Sequence, residues 1–106
     1  MKYFTTFILL IAFFGCKQEK ETMNTAQTFY VGTYTKKDSK GIYKYGLSKA
    51  GKLSKIGLQA TIVNPTFLVK SNDKKSLFVI GETDKNGVGF IRSFKMEKDS
   101  LIQISK

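Results

Sequence analysis

From about residue 28 onward, apolar residues occur in short runs separated by polar turns. β-Branched and aromatic residues dominate these runs, and no apolar stripe with a helical period of 3.6 residues extends beyond a single turn. The pattern therefore predicts an all-β domain. We expect seven strands, at residues 28–33, 41–47, 52–61, 66–70, 76–82, 89–96 and 100–104.

The links between these strands are short, polar and rich in Gly, Asn, Asp, Ser and Lys, which are typical of turns. Strands joined in this way are expected to pair as antiparallel hairpins. The third predicted strand is weaker and broken by Gly57, and the fourth begins directly after Pro65, a position where a strand tolerates proline. The links lie at 36–40, 49–52, 71–75, 84–87 and 98–100.

The segment FYVGTYT at 29–35 recurs about 48 residues later as LFVIGET at 77–83. A β-rich unit that repeats every ~40–50 residues is typical of a β-propeller blade with four antiparallel strands. We therefore expect two blades, the first of which lacks its innermost strand. The sequence after each copy also recurs, and it matches Ile42 with Ile91, Tyr45 with Phe94, Leu47 with Met96, and Leu53 with Leu101.

Two blades enclose no central axis, whereas propellers have about four to eight blades. We therefore expect this segment to be the N-terminal part of a chain of about 350 residues, which forms a monomeric propeller at full length. The alternative is that several copies of a two-blade chain assemble into one ring.

The N-terminus has the features of an export signal. A positive start at 1–2 precedes an apolar run at 4–14 that is shorter than the ~20 residues a membrane-spanning helix needs. The Gly15–Cys16 pair after this run resembles the end of a bacterial lipoprotein signal peptide, in which the cysteine is lipidated. The alternative is an incidental cysteine just after an ordinary signal. We predict a signal peptide at 1–15, a lipid-anchored flexible tether at 16–27 with the lipid on Cys16, and a globular domain at 28–106.

This signal predicts an exported protein, periplasmic or on the cell surface, that a lipid anchor holds at the membrane. The formal net charge is +10, and all but one of the 18 basic residues are lysines. Spread lysines are typical of a solvated surface, whereas nucleic-acid readers use arginine for bidentate contacts. We therefore expect no nucleic-acid partner, and a positive surface that faces an anionic membrane or an anionic substrate.

Three motifs, in this order and spacing, resemble the lactonase family of seven-bladed β-propellers, the 6-phosphogluconolactonase type. They are VGTYT at 31–35, GIYKYGLSKAGKL at 41–53 and NPTFLVKSNDKKSLFVIGET at 64–83. The resemblance implies hydrolysis of a small-molecule sugar lactone to its hydroxy acid, with no organic cofactor. A lactone is an activated ester, so its hydrolysis needs a base that directs water and cations that hold the developing oxyanion.

Glu82 is the candidate catalytic base. It ends the predicted fifth strand on the face that carries Phe78 and Ile80, where a carboxylate could be desolvated and so act as a base. It also matches a Glu of the family pattern. The alternative is a strand-end Glu that pairs with a lysine or caps a turn.

Arg92 is the only arginine, and by strand parity it shares a face with Phe90, Phe94 and Met96. We therefore expect it between the two blades. There its guanidinium can bind a phosphate or carboxylate of the substrate, or it can form a structural ion pair.

Thr33 and Tyr34 are further candidate substrate contacts, because their hydroxyls follow the first strand where a channel would open. An ordinary strand end is the alternative. The chain contains no histidine, and its single cysteine lies at the signal, so this segment has no Ser-His-Asp or Cys-His arrangement and no histidine metal site. We expect no metal.

Two other functions fit parts of the sequence. One is a non-catalytic cell-surface propeller that binds a glycan or a protein partner, because fold alone does not decide function. The other is a small OB-type barrel that binds nucleic acid through lysines and exposed aromatics. The repeat and the signal both argue against the barrel.

Overall fold

The computed structural model describes residues 15, 25–83 and 86–105. Residues 1–14 of the predicted signal peptide, Cys16 and most of the predicted tether lie outside these ranges. Within them, no helix is long and apolar enough to cross a membrane. The strands are β1 (Thr25–Gly32), β2 (Gly41–Ser48), β3 (Leu53–Thr61), β4 (Pro65–Lys70), β5 (Ser76–Glu82), β6 (Gly89–Met96) and β7 (Leu101–Ser105).

The seven strands form two antiparallel sheets, which confirms the predicted all-β architecture. The first sheet has the order β1-β2-β3 and the second has the order β4-β5-β6-β7. Neighbours in sequence are neighbours in each sheet, as expected when short turns join consecutive strands. The first sheet thus contains one strand fewer than the second, and its three strands correspond to the last three strands of the second.

Strand pairing reproduces the repeat seen in the sequence. Phe29 lies opposite Tyr45 in the first sheet, and Leu77 lies opposite Phe94 in the second. In the same way, Leu47 pairs with Leu53 and Met96 pairs with Leu101. The predicted matches therefore hold residue by residue, because both sheets use the same register.

One prediction about β3 is wrong: the strand continues through Gly57 instead of breaking there. The register of β2 against β3 shifts at two places, between Ile42 and Tyr43 and between Lys44 and Tyr45. At each place β3 contributes an additional residue, which is the pattern of a β-bulge. The bulges absorb the irregular sequence while pairing continues. At the start of the domain, β1 begins at Thr25, three residues before its predicted start.

The two sheets pack face to face, and their contact forms the core. Ile42 and Ile62, at the first sheet and the linker after it, are buried against four side chains of the second sheet. The approach is close at Gly32, where a Cβ atom would overlap the Pro65 carbonyl oxygen and the Leu68 side chain. The residues of the second sheet in this core are Leu77, Val79, Phe94 and Leu101.

The opposite side of the second sheet is not covered by any described residue. We call it the open face. Its apolar side chains are between 43% and 64% exposed, so they form a contiguous apolar patch of the kind that marks an interaction surface. Register places these residues on one side of the sheet: Phe67, Val69, Phe78, Ile80, Ile91 and Ile102.

Candidate functional site

Asn64, in the linker between the two sheets, organises the candidate site. Its side chain is 3% exposed, and its φ of 38° lies in the left-handed region that few residues other than glycine adopt. Pro65 follows Asn64 directly, and a residue before proline is sterically restricted toward extended backbone, so the conformation of Asn64 is unfavourable for this reason too. A position of this kind persists only where its surroundings hold it in place.

The surroundings are the loop between β1 and β2. The Asn64 Oδ1 accepts hydrogen bonds from the Thr35 backbone N–H at 2.8 Å and from the Thr35 hydroxyl at 3.1 Å. The Asn64 N–H donates in turn to the Thr35 hydroxyl oxygen at 3.2 Å. This reciprocal set of bonds fastens the start of the loop to the linker, because a buried amide has to find partners within the protein.

The end of the same loop is fastened by Lys40. Its carbonyl oxygen accepts a hydrogen bond from the Ile62 N–H at 3.1 Å, and its own N–H donates to the Tyr43 hydroxyl at 3.0 Å. The loop is therefore held against the linker at both ends, so that its backbone forms a fixed wall.

This wall borders a cleft of about 310 Å³ between the two sheets, which we call the intersheet cleft. The loop contributes Thr35 and Lys40, and β6 contributes Arg92 from the opposite side. The end of β3 and the linker complete the lining with Thr61, Ile62 and Val63. Two cations and two hydroxyl-bearing residues thus line a cleft in which no described lining residue is acidic.

Arg92 lies where strand parity predicted it, between the sheets. Its guanidinium carbon is 4.7 Å from the centre of the Phe90 ring, which holds the planar group by a cation–π contact. One terminal nitrogen donates to the Gln103 Oε1 over 3.4 Å, while Nε is buried without a hydrogen-bond partner. Among the described residues, no carboxylate forms an ion pair with Arg92, so the predicted structural ion pair is absent there.

Glu82 is close to the linker through its backbone, whose N–H donates to the Asn64 carbonyl oxygen at 3.1 Å. Register places its side chain on the open face with Phe78 and Ile80, as predicted. That side chain is exposed, because no described element covers this face. The desolvation expected for a general base is therefore not supplied by these two sheets, and the catalytic role of Glu82 stays a prediction.

The other predicted contacts have different surroundings. The Thr33 hydroxyl donates to the Gly41 carbonyl oxygen at 2.7 Å, so it joins the two ends of its own loop. Tyr34 is 64% exposed, and its neighbour Thr35, not Thr33, reaches the intersheet cleft. Within the ranges described, no three His, Cys, Asp or Glu side chains lie close enough together to hold a metal ion.

Sequence reasoning missed Asn64 and Lys40. The Asn-Pro pair after the third strand was a usable signal, because this dipeptide favours a turn and Asn tolerates positive φ. Lys40 gave no such signal, since it is one of many lysines in polar links. Only the approach of the loop to the linker distinguishes it.

Comparison with known proteins identifies relatives of the predicted globular domain. The sequence model of the family described as Lactonase, 7-bladed beta-propeller, matches residues 28–106. A 6-phosphogluconolactonase from Bacillus subtilis (strain 168) is 38% identical over 72 residues, which are 67% of this chain and 20% of the relative. The chain therefore spans about a fifth of the length of that relative.

Two crystal structures resemble the two-sheet unit. A protein from Lactobacillus plantarum superposes with a TM-score of 0.65 at 32% identity, over 74% of this chain and 23% of the other. A putative 6-phosphogluconolactonase from Bacteroides fragilis superposes with a TM-score of 0.66 at 29% identity, over 79% of this chain and 24% of the other. The two sheets are thus arranged as in larger proteins of this type.

Proposed function

Because the chain belongs to the seven-bladed β-propeller lactonase family, we propose that the full-length protein is a lactone hydrolase of the 6-phosphogluconolactonase type. It opens a sugar lactone to the hydroxy acid. The observation that carries this proposal is the family match over residues 28–106, which includes most of both described sheets. The 38% identity to a 6-phosphogluconolactonase supports the same reaction class.

The two sheets are proposed as the first two blades of a closed ring. The open face supports this, because its exposed Phe67, Ile80 and Ile91 need a covering partner. The 106-residue chain alone is expected to aggregate and to show no lactone turnover, since it exposes this face and unpaired sheet edges. Robust hydrolysis by the 106-residue chain would contradict the proposal that it is part of a larger enzyme.

In the proposed mechanism, the Glu82 carboxylate accepts a proton from water as the water oxygen attacks the lactone carbonyl carbon. The ring C–O bond then breaks, and the ring oxygen receives a proton to become the hydroxyl of the product. One water is consumed and one hydroxy acid is formed. Since Glu82 is exposed in the described sheets, the mechanism requires that a later part of the protein covers the open face beside it.

The test uses the purified full-length protein with a phosphorylated and an unphosphorylated gluconolactone. We expect turnover of at least one of them, and we expect Glu82→Gln to lower kcat by about 10²- to 10⁴-fold. Glu97→Gln is the matched control, because Glu97 is an exposed carboxylate whose ion pair with Lys95, at 2.7 Å, lies in another turn. Absence of lactone hydrolysis by the unaltered protein would overturn the proposed function, and a Glu82→Gln variant with normal kcat would remove Glu82 from it.

We also propose that the protein is exported and anchored by a lipid on Cys16. The apolar run at 4–14 followed by Gly-Cys supports this proposal. Cells that express the protein are fed a labelled lipid precursor, and we expect label in the protein but none in Cys16→Ala. An unlabelled parent protein would end the proposal of an anchor while leaving the lactonase proposal intact.

A further inference from the structure

We propose that one end of the two-sheet unit binds anionic phospholipid headgroups and so holds the domain against the membrane with Glu82 on the far side. We call this end the basic end. It consists of the turns at 49–52, 71–75 and 97–100, together with Lys70 at the end of β4. The orientation rests on the proposed lipid anchor at Cys16, whereas binding of headgroups depends neither on that anchor nor on lactone hydrolysis.

Strand direction places these turns at the same end of both sheets. Consecutive strands run antiparallel, so every second turn of a sheet lies at the same end. Between the sheets, β1 finishes at Gly32 close to Pro65, the first residue of β4. At the other end of β4, the Lys70 ammonium lies 5.5 Å from the centre of the Tyr30 ring in β1. The two strands therefore run in opposite directions, and β1 starts at the end where β4 finishes.

Hydrogen bonds join the turns into one surface. The Lys44 ammonium of the first sheet donates to the Lys98 carbonyl oxygen, in the third turn, at 2.8 Å. The Met96 N–H donates to the Lys75 carbonyl oxygen, in the second turn, at 2.8 Å. Because these contacts fix the backbones that carry the lysines, the charges of both sheets act on a membrane as one patch.

The basic end carries a clear excess of positive charge. Its lysines are all exposed, and they outnumber its two remaining carboxylates, Asp73 and Asp99, because Glu97 forms its ion pair with Lys95 beside the turn. The lysines of the basic end are Lys49, Lys52, Lys70, Lys74, Lys75 and Lys98. Each lysine close to an anionic leaflet adds to the attraction, so this excess favours a lipid surface.

The opposite end of the sheets is close to neutral among the described residues. Its charged residues there are Lys36, Lys37, Lys40, Asp38 and Glu82. β5 runs from the basic end to Glu82 over seven residues, which at ~3.3 Å per residue is about 20 Å. This distance exceeds the Debye length of ~8 Å at physiological salt, so bound headgroups leave the environment of Glu82 unchanged.

The polypeptide enters the domain at the basic end. β1 begins at Thr25, which lies opposite Ser48, the last residue of β2 before the first turn. At ~3.3–3.6 Å per residue, the sequence from Cys16 to Thr25 spans at most about 30 Å. A lipid on Cys16 therefore keeps this end, and not the opposite one, nearest to the headgroups.

The tether between Cys16 and Thr25 has no net charge of its own, because two lysines are balanced by two glutamates. These residues are Lys17, Lys20, Glu19 and Glu21. Electrostatic attraction to the membrane must therefore come from the folded domain. The lysines of the basic end supply it as mobile point charges, which suit a fluid layer of headgroups better than a ligand of fixed geometry.

Sedimentation with lipid vesicles tests the proposal on the full-length protein that begins at Lys17 and so carries neither signal nor lipid. The vesicles contain phosphatidylcholine alone, or phosphatidylcholine with about one third phosphatidylglycerol. We expect binding to the anionic vesicles only. Its affinity should fall about tenfold or more as salt rises from ~0.05 to ~0.3 M, because exposed charges are screened.

A matched pair of variants locates the surface. Lys49→Gln/Lys98→Gln removes one charge from a turn of each sheet and should weaken binding to anionic vesicles about tenfold or more. Lys36→Gln/Lys37→Gln removes the same charge from exposed positions at the opposite end and should stay within about threefold of the parent. Equal weakening by the two variants, or a parent protein that does not prefer anionic vesicles, would overturn the proposal.

The outcomes also separate this surface from the proposed anchor and the proposed activity. A protein that binds anionic vesicles through the basic end but takes up no lipid label keeps the surface and loses the anchor. A labelled protein without preference for anionic vesicles keeps the anchor and loses the surface. Lactone hydrolysis, measured on the same preparation, decides the enzymatic proposal independently of both.

Discussion

Ile42 and Ile91 occupy the same position in two copies of one repeat, yet Ile42 is 0% exposed and Ile91 is 64% exposed. The sequences around them are similar, and so are their strand pairings. The second sheet covers Ile42, whereas no described element covers Ile91. The environment of a side chain in this molecule is therefore decided by the neighbouring sheet rather than by its own.

A second contrast concerns the loops that follow equivalent strands. In the first sheet, the loop after β1 is fastened through Thr35 to Asn64 of the linker. In the second sheet, Thr83 stands in the place of Thr35, and its hydroxyl donates to the Val88 carbonyl oxygen within the same hairpin. Among the described residues of these two loops, only those of the first loop line the intersheet cleft.

The largest expected effect comes from a substitution that tests the difference in burial between the two isoleucines. In the full-length protein, Ile42→Ala should lower the free energy of unfolding by about 2–5 kcal/mol, because it leaves a cavity in the core. Urea denaturation measures this loss. A loss below about 0.5 kcal/mol, the range of surface substitutions, would contradict the packing of the two sheets.

Ile91→Ala is the matched variant. If a further blade covers the open face, its cost should approach that of Ile42→Ala in the same protein. A cost below about 0.5 kcal/mol would show that the open face remains exposed in solution.

The next largest effect is expected from a substitution that places a residue of the second repeat at the equivalent position of the first repeat. Gly32 and Ile80 are equivalent, since they lie opposite Ile42 and Ile91. Gly32→Ile should destabilise the protein by about 1–3 kcal/mol or more, because any Cβ at this position overlaps the Pro65 carbonyl oxygen. Thermal unfolding of the full-length protein measures the loss.

Gly51→Ala is the control for this substitution. A Cβ at Gly51 meets nothing within 4 Å, and only the φ of 81° is unfavourable there. Its loss of stability should therefore be smaller than that of Gly32→Ile. Equal losses in the two variants would argue against the close approach of the sheets at Gly32.

A third variant tests the loop contrast. Asn64→Ala should cost about 1–3 kcal/mol, because it leaves the Thr35 N–H without its acceptor in a partly buried place. Asn86→Ala is the control: Asn86 also has a positive φ, of 59°, but it lies exposed in the second loop. Similar losses in both variants would attribute the effect to backbone conformation alone, and hydrogen exchange of the Thr35 amide would show whether the loop has loosened.

The smallest effect is expected in the hairpin between β4 and β5, which has no counterpart among the described strands of the first sheet. The Ser71 hydroxyl, at 2.5 Å, and the Lys75 N–H, at 3.0 Å, donate to the Asp73 carboxylate and lower its pKa below the ordinary value of 3.8. Because the folded pKa is depressed, this stabilisation is complete above pH ~3.8 and is lost as pH falls through the folded pKa. Asp73→Asn should therefore flatten the acid limb of the stability curve slightly. Identical limbs in both proteins would show that the turn contributes nothing.

The sequence predicted the fold well because its signals were local. Alternation of apolar residues and turn-forming links predicted the seven strands. The repeat predicted that the two sheets are built alike, and the equivalent pairs Phe29–Tyr45 and Leu77–Phe94 confirm it. Parity alone placed Arg92 between the sheets. The predicted break at Gly57 was wrong, because a β-bulge lets a strand continue through residues that do not alternate.

The candidate site was less predictable because it depends on contacts between distant segments. Asn64 and Thr35 are 29 residues apart, and no local pattern shows that they meet. The environment of Glu82 depends in turn on an element that covers its face. Strand parity gives the side of a sheet on which a residue lies, but not what packs against that side.

The open face also has a consequence for biosynthesis. If the next repeat of about 48 residues covers it, then at about 5–20 residues per second the ribosome needs roughly 2–10 seconds to supply the cover. During that interval the nascent chain displays a broad apolar sheet, which is a binding surface for chaperones and for other nascent chains. The order of translation, and not only the final packing, therefore sets the period in which this protein is most vulnerable to misassembly.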